Sequence, residues 1–78
     1  MNKFNAAERK LYDAGKAARL AGAKFNVHHF YRSDEYRIFT PIGEGRNRTV
    51  MTFEYCASDI RTRIEAIEKA ADWLQRQV

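Results

Sequence analysis

The stretch from Ser58 to Val78 constrains the chain more than any other. Its apolar residues stand at Ile60, Ile64, Ile67, Ala71, Leu74 and Val78. Steps of three and four place all six on one face of a helix. Ser58 is positioned to cap its start, and Asp59 falls where the helix dipole favours a negative charge. The remaining residues must supply the surface that this stripe buries.

The spacing predicts a first helix over Asn5 to about Ala21. Asn5 and Glu8 have the separation of a capping box. Ala7, Leu11, Ala14 and Ala18 form a narrow inward face, with Phe4 just before it. Gly15 weakens this helix by about 1 kcal/mol relative to alanine, which suggests a site of close approach. Gly22 is a natural stop. Between the helices lie three strand candidates, Lys24–Arg32, Glu35–Pro41 and Arg48–Cys56. Ser33-Asp34 turns the chain between the first two, and a glycine-loosened loop over residues 43–47 joins the last two. Pro41 cannot donate to a ladder and so ends its strand.

The expected fold is α+β: one domain over residues 1–78, elements in the order α-β-β-β-α, and a three-stranded antiparallel sheet with both helices packed on one face. The expected register turns Phe25, Val27, Tyr36, Ile38, Met51, Phe53 and Tyr55 inward. His28, Phe30, Arg37, Phe39, Thr52 and Glu54 are left on the open face. A slip of one residue would exchange the two sets.

This element order resembles the double-stranded RNA-binding domain in topology and length. In that family the first helix and first hairpin touch minor grooves, and a lysine cluster opening the last helix grips phosphates. The resemblance implies that Arg61 and Arg63 stand in the cluster's place. The first hairpin turn here, Arg32-Ser33-Asp34-Glu35, lacks the family's glycine, proline and histidine.

Charge placement gives the strongest functional hint. The net charge is +4. Residues 1–24 carry six cations against two acids, and the other two thirds each sum to zero. A cationic surface attracts polyanions or acidic protein faces. On the first helix, Arg9, Tyr12, Lys16 and Arg19 follow steps of three, four and three along one flank, which suits phosphates or an acidic partner. A solvated flank covering the core edge is the plainer alternative. Arg46 and Arg48 lie in the second hairpin loop, where arginines can reach phosphate or carboxylate. Phe30, Arg37 and Phe39 place aromatics beside a cation on the open sheet face, an arrangement that stacks single strands or forms a partner or homodimer contact. On the last helix, Arg61 with Glu65, Glu65 with Lys69, and Asp72 with Arg76 have ion-pair spacing on a solvated face.

His28 and His29 point to opposite faces of a strand and cannot share a metal, so neither a metal nor a cofactor is expected. The single cysteine, Cys56, reads as a small hydrophobe, and Trp73 as a core-edge residue. One cysteine, no apolar run of bilayer length and no secretory signal point to a cytoplasmic protein. The length leaves little room for a deep, supported catalytic pocket, so a non-enzymatic binding module is expected. The favoured partner is nucleic acid, duplex or single strand, bound by the first helix and the arginine hairpin. The alternative is a small inhibitor or adaptor of the phage or mobile-element kind, anti-CRISPR proteins among them, docking on an acidic protein surface.

Overall fold

The computed structural model describes residues 2–78. Helix α1 spans Lys3–Leu20, strands β1, β2 and β3 span Asn26–Phe30, Glu35–Gly43 and Arg46–Glu54, and helix α2 spans Ile60–Gln75. The strands form an antiparallel sheet in the order β1-β2-β3, with both helices on one face. This is the α-β-β-β-α arrangement expected.

The helix ends differ in detail from the expectation. Asn2, not Asn5, caps α1, its Oδ1 accepting the Asn5 backbone N–H at 2.8 Å. Two asparagines three residues apart both fit a cap, and the helix takes the earlier one. Asp59 replaces Ser58 as the cap of α2 by accepting the Arg61 N–H at 3.0 Å. The C-terminus of α1 follows the expected glycine stop. Gly22 sits at φ +93°, the Ala23 N–H reaches back to the Ala18 carbonyl, and the Gly22 N–H reaches that of Arg19. That pair of bonds is a Schellman motif, which requires the left-handed backbone that glycine adopts freely.

The core is small in both volume and side-chain size. Ala7, Ala14 and Ala18 of α1 meet Ala66, Ile67, Ala70, Ala71 and Leu74 of α2, all buried. Short side chains let the two helix axes approach closely, so α1 packs chiefly on α2. Beneath α2 lie Tyr36 and Ile38 of β2, also buried, with Met51 and Phe53 partly covered. The ends of the predicted α2 stripe stay outside the core: Ile60 is 53% exposed, and Val78, beyond the helix, 66%.

The pairs Val27↔Ile38, His29↔Tyr36, Tyr36↔Phe53 and Ile38↔Met51 confirm the expected inward set and add His29 to it. The strand limits shift by about two residues. Arg46 and Arg48 lie in β3, opposite Gly43 and Thr40, rather than in a mobile loop. The loop shrinks to Glu44-Gly45, because Gly45 at φ +64° closes it tightly. Two register shifts, after Ile38 and after Pro41, bend the β2–β3 arm. Residues 41–49 are all exposed, so the arm projects beyond the helices.

Candidate nucleic-acid interface

Antiparallel topology sorts the chain into two ends. At one end lie the start of α1, the β1–β2 turn and the start of α2. At the other lie the ends of both helices, the start of β1 and the β2–β3 arm.

At the first end Lys3, Arg32 and Arg61 are exposed, but Arg63 is enclosed. Arg63 turns inward from α2, and its Nε donates to the Tyr36 hydroxyl at 2.9 Å. Its guanidinium lies 4.7 Å from the Phe4 ring and 5.7 Å from the Tyr55 ring. Its Nη2 donates to His29 Nδ1 at 3.4 Å. An arginine can only donate, so Nδ1 is the unprotonated nitrogen and Nε2–H faces the Tyr55 hydroxyl, to which it is bonded. His29 also stacks on Tyr36 at 4.3 Å between centroids, with an interplanar angle of 10°. Burial, followed by the Arg63 charge, holds the His29 pKa below its ordinary value, and burial raises that of Tyr36. Arg63 and these four aromatic residues tie both helices to the sheet. Arg63 is thus unavailable to grip phosphate, and Arg61 is paired with Asp59 at 3.2 Å. The role implied for Arg63 by the RNA-binding resemblance is not met, whereas Arg61 stays exposed.

The opposite end displays its cations. Arg19 lines a surface hollow with Lys24, Asn26 and Pro41. Asn26 pairs with Phe39 and Arg48 with Thr40, so the start of β1 and the start of β3 flank the same part of β2. Trp73 packs edge-on against Phe25 at 5.0 Å, which brings the end of α2 and Arg76 to this side. Arg19, Lys24, Arg46, Arg48 and Arg76 are all exposed, and none belongs to a salt bridge among the described residues. Glu44 is the one carboxylate on the arm. Sequence reasoning picked out Arg19, Arg46 and Arg48 but not Lys24 or Arg76. Those two are brought to this side by the hollow beside Arg19 and by the packing of Trp73 on Phe25.

The other candidates are divided among three surfaces. Arg9 is exposed and pairs with Asp13 at 3.5 Å. Lys16 is exposed on the outer side of α1. Tyr12 and Arg19 border a groove between α1 and β1. Phe30, Arg37 and Phe39 share the open sheet face, as expected. Arg37 lies 4.2 Å over the Phe30 ring and bonds to Glu35 beside it, and His28 meets Phe39 edge-on at 5.6 Å. Glu35 sits opposite Glu54 on this face, which gives it no excess of positive charge.

Three further expectations change. Cys56 is exposed, with its sulfur 3.1 Å from the Ser58 hydroxyl. The i,i+4 ion pairs expected on α2 do not form among the described residues; Asp72 instead accepts from Lys10 of α1 at 2.7 Å. Gly15 is no close-approach site, because the nearest atom to a Cβ there would be an Arg19 guanidinium nitrogen at 3.8 Å. Among the described residues no helix is long and apolar enough to cross a membrane, and no group of three metal-ligating side chains is present. No protein-family model matches the chain, nor does any curated protein or solved structure.

Proposed function

We propose that this protein is a nucleic-acid-binding module that grips the phosphate backbone with the end formed by the C-terminus of α1, the start of β1 and the β2–β3 arm. The observation that carries this reading is the placement of Arg19, Lys24, Arg46, Arg48 and Arg76 toward one end of the fold, all exposed and with no carboxylate partner among the described residues. Exposed, unpaired cations held on a rigid frame release counterions when they meet phosphate, and that release drives binding irrespective of sequence. The two arginines of the arm are spaced two apart on one strand and so project to the same side. Lys16, one turn before Arg19, extends the surface along α1.

The open sheet face is a poorer contact surface. Arg37 already occupies one face of Phe30, and Glu35 and Glu54 repel phosphate. Phosphate contact without base stacking predicts similar affinity for unrelated duplex sequences. The test is a titration of labelled duplex DNA, duplex RNA and single strands over a range of salt. With about four phosphates neutralised on a duplex, log K falls against log salt with a slope of about −3.6. Reversing Arg46 and Arg48 to glutamate abolishes binding without unfolding the chain. Absence of binding to every probe at low salt defeats the proposal.

A further inference from the structure

The alanine seam that draws α1 onto α2 has a consequence on the other side of α1. Helix α1 leans away from β1 and leaves a groove of about 310 Å³ between them. Leu11 and Gly15 line the helix side, and Phe25 and Val27 the strand side. Tyr36 of β2 and Ile67 of α2 close the back, so the mouth faces the edge of β1 that has no neighbouring strand. An unpaired strand edge offers backbone donors and acceptors, and the apolar hollow beside it takes side chains.

Charge sets the direction of an occupant. Arg19 stands at one end of the groove and Glu8 at the other, about 16 Å apart along the helix axis. Five residues of extended chain span about 17 Å, which matches the five residues of β1. Because β1 runs from the Arg19 end toward the Glu8 end, an antiparallel newcomer finishes at Arg19.

We infer that the groove between α1 and β1 receives an extended peptide segment of a partner protein. The segment adds as a fourth, antiparallel strand on the free edge of β1, with an apolar side chain in the hollow and an acidic residue after it on Arg19. This surface shares Arg19 with the proposed nucleic-acid surface but takes in none of the β2–β3 arm, so the groove itself is tested apart from nucleic-acid binding.

A phage-displayed library of random heptapeptides, selected against the full chain, supplies the probe. Enriched sequences carry apolar residues at alternate positions and an acid near the C-terminal end. A labelled peptide of that sequence shifts the amide resonances of Asn26–Phe30 and slows their hydrogen exchange. Gly15→Leu fills the groove from its helix wall, where only the Arg19 side chain lies near. It lowers peptide affinity at least tenfold and leaves the thermal midpoint at or above that of the parent. Arg19→Glu lowers affinity for the acidic peptide by a similar factor, and a lysine in place of the peptide's acid restores it. Gly15→Leu leaves duplex titration unchanged, so loss of peptide binding and loss of nucleic-acid binding are told apart. Overturning results are a selection without alternating apolar residues, resonance shifts confined to the open sheet face or the arm, or undiminished peptide binding by Gly15→Leu.

Discussion

The two flanks of α1 are built to opposite specifications. Toward α2, Ala7, Ala14 and Ala18 are at most 3% exposed and leave no space for a larger side chain. Toward β1, one turn away, Gly15 has nothing but the tip of a flexible arginine near it. A single helix therefore has one flank where volume decides stability and another where space is left over. Small residues do not have one meaning: the alanines allow contact, whereas the glycine leaves a gap.

The sharpest way to break this contrast is to enlarge a side chain on each flank. Ala18→Leu forces a branched side chain into the sealed seam and destabilises the chain by about 1–3 kcal/mol, measured by urea unfolding. Equal stability for this variant would mean that the seam is loose. Gly15→Ala, three residues earlier, works in the opposite direction. With open space and helical backbone, it stabilises by about 1 kcal/mol, seen as a raised thermal midpoint.

The order of elements and the inward parity of the strands were legible because periods of 3.6 and 2 are local signals. The α2 stripe was legible for the same reason, but its ends were not. Whether Ile60 and Val78 find cover depends on what the rest of the chain places beside them, which no helical spacing encodes. The sealed and open flanks of α1 were equally hidden, since Gly15 and its alanine neighbours look alike until two helix axes are fixed. The cationic third was visible in the sequence. Its position relative to Arg46 and Arg48 depends on a long-range register, and Lys24 and Arg76 join the same end only through tertiary packing. Arg63 went the other way: a cation whose position suggested phosphate is instead enclosed by Phe4, His29, Tyr36 and Tyr55, which come from distant parts of the sequence.

The enclosed cluster gives the contrast a pH dependence. His29 is held neutral by burial and by Arg63, so its folded-state pKa lies below the unfolded value of about 6.5. The unfolded chain then binds more protons, and stability rises with pH through that window and is lost as pH falls below it. Unfolding midpoints measured between pH 7.5 and 5 fall, and His29→Gln flattens the dependence. The smallest effect belongs to the rim of the seam. Asp72→Asn removes the exposed bond to Lys10 and costs under about 1 kcal/mol, a difference that fades with added salt.

The bends in the β2–β3 arm bear on how this chain behaves at high concentration. Register shifts after Ile38 and after Pro41 twist the outer margin of β3, and Arg46 and Arg48 add like charge along it. Another copy's strand finds no flat, neutral border there. Open-ended ribbons require two receptive borders per molecule, and here only the short margin of β1 is receptive. Pairing through that margin alone cannot propagate beyond two copies.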